Sequence, residues 1–318
     1  MKRESVEGAI LNPKFILNAT EAERGLRLDR SDPEDRARIV AAIDTLIGAL
    51  DIALENGIQR NDVLLWLDAD IGEGSLFRAL SSKIPTMLTY DFDVRDYLEE
   101  AFDEMNEVTT KFKPDVLVLP VRNAAADMGQ ISAPSNALQL PNSMSPIDKH
   151  ISIFDFASTF DVKIAWDIRK PRGEWPDPML QSENALRTIS LFQDAGLDPA
   201  MWIMNLPAVR IVAETLSART HIDDRNDVVA CFALDTIFWT AYRTQNDDLD
   251  ALPNAVSTAI DAIDTMPGNA RVIVGAETYA ACLNEFAQTT RTAPEVAESL
   301  AARLTAISEA LNVEKVSV

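Results

Sequence analysis

Cysteine, histidine and positive charge are what this sequence has least of. Its two cysteines, Cys231 and Cys282, are too few for a disulfide framework, and both lie within apolar runs as core thiols. The two histidines, His150 and His221, fall within or after helical segments rather than at strand ends, which excludes a histidine-bound zinc centre there. Against 50 Asp and Glu stand only 29 Lys and Arg, leaving a net charge of −21 over 318 residues. A field of that sign repels nucleic-acid backbones and anionic lipid, so neither is expected as a partner. No uncharged apolar run is long enough to span a bilayer, and the opening "MKRESVEGAILNPKF" lacks the apolar stretch of a signal peptide. A cytoplasmic location is therefore expected. A P-loop, a dinucleotide fingerprint and the familiar nucleophile motifs are also absent.

What is present is rhythm. Short, apolar, β-branched runs recur as "KFILNA", "DVLLWLDAD", "TMLTYDFD", "DVLVLPVR", "VKIAWDIR", "AMWIMNLP", "DVVACFALD" and "ARVIVGAET". Helical patterns lie between them. In the first, Ile39, Ile43, Leu46, Leu50 and Leu54 recur at helical spacing, and Ser31 with Glu34 reads as a capping box around Pro33. Strand and helix alternate about eight times, and the strands are nearly uninterrupted in their apolar centres. That pattern implies parallel strands, right-handed crossovers and a sheet covered by helices. With 47% hydrophobic residues in 318, the expected fold is a single-domain (βα)8 TIM barrel over residues 1–318. An open doubly wound sheet with a helical C-terminal annex is the structural rival. The least regular stretch, near 123–145, reads as a long βα loop, either a lid or a plain insertion.

A barrel puts its site at the C-terminal ends of its strands. Those ends carry Asn18; Asp68 and Asp70; Asp91 and Asp93; Arg122 and Asn123; Asp167, Arg169 and Lys170; Asn205; Asp235; and Glu277 with Thr278. Asp70, Asp93, Asp235 and Glu277 read first as helix caps, the common role of an acidic residue after a strand. Asp68 and Asp167 differ, because each stands inside the end of an apolar strand, where a carboxylate needs a partner. Arg122 and Arg169 can supply one, or can bind an anion.

Taken in order, "LLWLDADIGEGSLFRALSSKIPTMLTYDFD", "KPDVLVLPVRNA", "VKIAWDIRKP", "LRTISLFQDAGLDPAMWIMNL", "RNDVVACFALD" and "RVIVGAETYAACLNEFAQ" resemble segments of the barrel aldolases related to tagatose-bisphosphate aldolase. The likeness is greatest to the aldolase-like domain found with inositol-catabolic deoxyketogluconate-phosphate aldolase, and it covers most of the chain after about residue 60. The resemblance implies a carbon–carbon lyase acting on a keto sugar or sugar phosphate through a lysine Schiff base. At the two strand positions where the family carries lysine, this chain has Val118 and Ile203, and Asn205 stands where a family carboxylate would be. The family's phosphate-gripping strand end reads Gly275, Ala276, Glu277 here, and Glu277 repels a phosphate.

Lys170 is the one lysine at a candidate strand end, so a relocated amine would fall there, with Asp167 and Asp68 as acid/base groups. The expected ligand contacts are Arg122, Asn123, Arg169, Asn205, Gly275 and Glu277. No resident cofactor is expected. Mg²⁺ is the alternative, on Asp68, Asp91, Asp167 and Asp235, since it favours carboxylates and retained waters. Three readings stand: a lyase with a reorganised site, a catalytically silent barrel binding a carbohydrate-like molecule or a partner protein, and a Mg²⁺-dependent enzyme. A homo-oligomer is compatible with each.

Overall fold

The computed structural model describes residues 13–20, 26, 28–69, 79, 82–92, 98–121, 146–169, 178–205, 229–233, 271–274 and 292–313. All eight expected strands are present: β1 (Phe15–Asn18), β2 (Val63–Asp68), β3 (Thr86–Thr89), β4 (Val116–Pro120), β5 (Lys163–Asp167), β6 (Met201–Asn205), β7 (Val229–Ala233) and β8 (Arg271–Val274). The described helices are α1 (Pro33–Glu55), α2 (Leu98–Phe112), α3 (Pro146–Ala157), α4 (Pro178–Asp194) and α5 (Ala293–Val313). None of them is long and apolar enough to cross a membrane. The expected loop near 123–145 lies outside the described residues. The chain divides into two compact units, one of residues Met1–Leu88, Ala233–Asp264 and Arg271–Val318, the other of Thr89–Phe232 and Thr265–Ala270.

In the first unit, β1 is fully buried and pairs in parallel with strands on both sides. Leu17 lies opposite Leu65 of β2 and Val274 of β8. The Leu65 N–H donates to the Pro85 carbonyl at 2.9 Å, at the start of β3. A four-residue strand buried end to end has no solvated face, which is why its sequence shows no polar alternation. Helix α1 packs along α5, burying Ile39, Ile43, Leu46 and Leu50.

The cap of α1 differs from the sequence expectation. Asp32, not Ser31, is the N-cap, accepting from Glu34 N–H at 2.9 Å and Asp35 N–H at 3.0 Å. Pro33 explains the shift: proline is tolerated at the first helical position and forces the residue before it to be extended, so the cap must be Asp32. Ser31 instead turns back on Asp29, and its backbone and hydroxyl hydrogen bonds hold the exposed Asp29 carboxyl below its ordinary range. The glutamate half of such a box forms elsewhere, at Thr292 before α5, whose N–H and hydroxyl both donate to the Glu295 carboxylate at 2.8 Å.

In the second unit, β4, β5 and β6 are parallel, with Val118 opposite Ala165 and Pro120 opposite Asp167, then Trp166 opposite Trp202 and Asp167 opposite Ile203. Paired residues share a sheet face. Leu119, Trp166, Trp202 and Met204 therefore face one way, into a core completed by α2, α3 and α4. Phe192 of α4 sits in it, 4.9 Å from Trp166, 5.2 Å from His150 and 6.2 Å from Trp202 between ring centroids. His150 is fully buried among these rings, a core position on α3.

Helix α4 ends at Asp194, and two residues beyond it Gly196 has a φ of 78°, in the left-handed region. There the Leu197 N–H reaches back to the Phe192 carbonyl at 2.8 Å, and the Gly196 N–H to Gln193 at 3.0 Å. This is the "QDAGLDP" turn. A side chain at residue 196 meets no neighbour, so Gly196→Ala carries only backbone strain. We expect it to cost about 1–2 kcal/mol in urea denaturation; an unchanged midpoint would show that the turn relaxes.

Candidate functional site

The described strand ends carry two arginine–aspartate pairs, one in each unit. In the second unit, Asp167 is the last residue of β5 and Arg169 lies two residues beyond. Ile168 continues the strand direction by donating its N–H to the Ile203 carbonyl at 2.9 Å, and this keeps Asp167 and Arg169 on the same side. The arginine grips the carboxylate in fork geometry: Nε to Oδ1 at 2.9 Å and Nη2 to Oδ2 at 2.9 Å. The Arg169 backbone N–H adds a third bond to Oδ1 at 3.1 Å. With side chains only 11% and 13% exposed, the pair is shielded from the screening that weakens surface ion pairs.

In the first unit, Asp68 ends β2, and its partner is Arg30, from the segment between β1 and α1. Arg30 Nη1 donates to Asp68 Oδ2 at 2.7 Å, and Nη2 donates to the Thr20 carbonyl at 2.9 Å. Beside it Asn18, fully buried at the end of β1, accepts at Oδ1 from the Thr20 N–H (2.9 Å) and hydroxyl (2.7 Å). Asn18 and Trp66 are register partners, so Asp68, two residues past Trp66, shares their face. Arg30 thus joins the ends of β1 and β2. Sequence reasoning looked for the Asp68 partner at other strand ends and missed Arg30, which stands 38 positions away with no signal except its charge.

The two lysine positions of the aldolase resemblance are described in full. Val118 and Ile203 are both completely buried. By register they lie on the face that carries Asp167, with Ala165 and Pro120 as neighbours in the strands. Neither position offers an amine.

Asp91 lies two residues beyond β3, partly buried. Among the described residues no group of three His, Cys, Asp or Glu side chains lies close enough to hold a metal ion. Asp70, Asp93, Arg122, Asn123, Lys170, Asp235, Gly275 and Glu277 lie outside the described residues, as does the side chain of Asn205, whose backbone closes β6.

No family model matches the chain, and no curated protein matches it. Among solved structures it is similar to RipC from Yersinia pestis, at 17% identity over 73% of this chain and 91% of that one, with a TM-score of 0.36. It is also similar to a type I 3-dehydroquinate dehydratase from Clostridium difficile, at 10% identity over 96% of this chain and 94% of that one, TM-score 0.45. A third is MGS-M4, an aldo-keto reductase from a deep-sea metagenome library, at 7% identity over 91% and 90%, TM-score 0.44. Likenesses this distant carry no argument about chemistry, which has to come from the residues themselves.

Proposed function

We propose that the eight strands close into a (βα)8 barrel whose C-terminal strand ends bind a small carbohydrate-like molecule, without a Schiff base on the fourth or sixth strand. The observation that carries this reading is the pair Val118 and Ile203, both fully buried and apolar on the face that bears Asp167. A Schiff-base amine needs a lysine whose nitrogen reaches the carbonyl carbon, and neither position supplies one. The closed barrel is supported by β1, which pairs with the second strand on one side and the last on the other. By resemblance the chain stands among aldolase-type lyases; by its residues the site is reorganised around paired carboxylates. The test is borohydride reduction of the full chain with a panel of keto sugars and their phosphates, read by intact mass beside thermal melting. The expected result is no reduced adduct together with a rise in melting temperature for at least one sugar. An adduct that disappears in Lys170→Ala would replace this reading with a lyase using a relocated amine. Turnover abolished by a chelator and restored by Mg²⁺ would replace it with the metal-dependent alternative.

A further inference from the structure

We infer that Asn56 is a site of spontaneous covalent modification, where the chain converts asparagine to aspartyl and isoaspartyl products at the C-terminus of α1. Asn56 stands before Gly57, and no other asparagine in the sequence precedes a glycine. Glycine matters because the reaction is an attack by the next backbone nitrogen, and a side chain on that residue would crowd and stiffen the approach. Helix α1 ends at Glu55, Asn56 is its C-cap, and Asn56 and Gly57 are both exposed. Gly57 has a φ of 115°, and a side chain at its position would meet nothing within 4 Å, so the turn has room to change shape. Three backbone bonds close that turn: Asn56 N–H to the Ile52 carbonyl at 3.0 Å, Ile58 N–H to Ala53 at 3.1 Å and Gly57 N–H to Leu54 at 3.3 Å. The nitrogen that must react makes the longest of the three. Other asparagines are protected by their surroundings: Asn18 is fully buried and accepts two hydrogen bonds, and Asn184 is buried within α4.

The Gly57 nitrogen attacks the side-chain carbonyl carbon of Asn56. A C–N bond forms, the Gly57 amide proton passes to solvent, and the side-chain nitrogen leaves as ammonia, which closes a cyclic imide. Water then adds to one or the other imide carbonyl and opens the ring to an aspartyl or an isoaspartyl residue. The net change is one water consumed and one ammonia released. Because ψ at Asn56 is 1°, the Asn56–Gly57 peptide must first rotate out of the turn, and the rate therefore follows fraying of the helix end. Both products oppose the helix. Each puts a carboxylate at the negative end of the α1 dipole, where the last turn holds no basic side chain and Glu55 is already acidic. The isoaspartyl form also adds a methylene to the main chain, which spoils the spacing of the bonds to Ala53 and Leu54 and unseats the buried Ile58.

The experiment ages the full chain in mildly alkaline buffer made with water enriched in heavy oxygen, then maps its peptides by chromatography and mass. The first peptide to take up the label is expected to be the one carrying residue 56, resolved as separate aspartyl and isoaspartyl forms. Asn56→Gln, whose longer side chain closes its ring far more slowly, is expected to take up no label there over the same period. Uptake that begins at another asparagine, such as Asn142 before Ser143, would overturn the inference. So would a residue 56 that stays unlabelled after other asparagines have reacted, or equal uptake there in Asn56→Gln. If Asn56→Gln does not fold, the order of labelling in the wild type decides alone. The effect on the helix is read separately on Asn56→Asp, expected to melt about 1–2 °C below the wild type at low salt and to regain the difference at high salt. An unchanged melting temperature at low salt would overturn the assigned effect of the new charge on α1.

Discussion

Arg169→Met is expected to destabilise the protein by about 3–5 kcal/mol, because it removes the one group that neutralises a shielded carboxylate among the described residues. Asp167 would be left without its fork of donors among apolar neighbours: Pro120 and Ile203 are its register partners on either side, and Ile203 is fully buried. A surface ion pair of the same length would contribute no more than about 1 kcal/mol, so the size of the loss separates the two situations. Urea denaturation followed by tryptophan fluorescence provides the measurement, since Trp166 immediately precedes Asp167 in β5. The double replacement Asp167→Leu with Arg169→Met is expected to recover most of the loss, because removing both charges leaves nothing unpaired. A single-variant loss below about 1 kcal/mol, or a double variant no better than the single, would show that water reaches the carboxylate and that the pair is a surface contact.

Phe192→Ala is expected to cost about 3–5 kcal/mol, the range for removing a fully buried aromatic ring. Phe192 is 0% exposed and touches two strands and another helix through Trp166, Trp202 and His150. The cavity left by its ring is walled by large side chains fixed to strand backbones, so it collapses poorly and the cost stays near the upper part of the range. Phe192→Leu keeps most of the volume and should lose less than half as much. Equal losses for the two variants would mean that ring geometry, not filled volume, sets the stability here. The same denaturation curves test this, and the expected signature in the alanine variant is a lower midpoint with an unchanged slope.

The strands were legible because a strand covered on both sides leaves an apolar run with punctuated ends. Phe15 to Asn18 is buried at every position, and "FILN" shows it without any alternation. The start of α1 was misread by one residue for a local reason: Ser31 and Asp32 both carry capping oxygens, and only the constraint imposed by Pro33 decides between them. The site divides along the same line. Asp167 and Arg169 are two positions apart on a strand end, so the partnership could be read from spacing. The Arg30–Asp68 pair joins segments separated by a helix and a strand start, and no pattern in either segment names the other. Val118 and Ile203 show how a resemblance and a structure inform each other: the likeness marks the two positions, and burial shows that they are filled as core.

The pairing of β1 with β8 has a consequence for the order in which the protein can be made. The unit containing β1 is assembled from three separate stretches of chain, and its first strand has a neighbour close to the far end of the sequence. During synthesis, β1 must wait for Arg271–Val274 to leave the ribosome before that edge is satisfied. The other unit draws β4, β5 and β6 and their helices from one continuous stretch, so its pairings can form while the rest is still being translated. Nascent chains should therefore acquire protease resistance in the middle of the sequence first. Until Arg271–Val274 has been made, β1 presents an unpaired apolar edge that chaperones would need to guard.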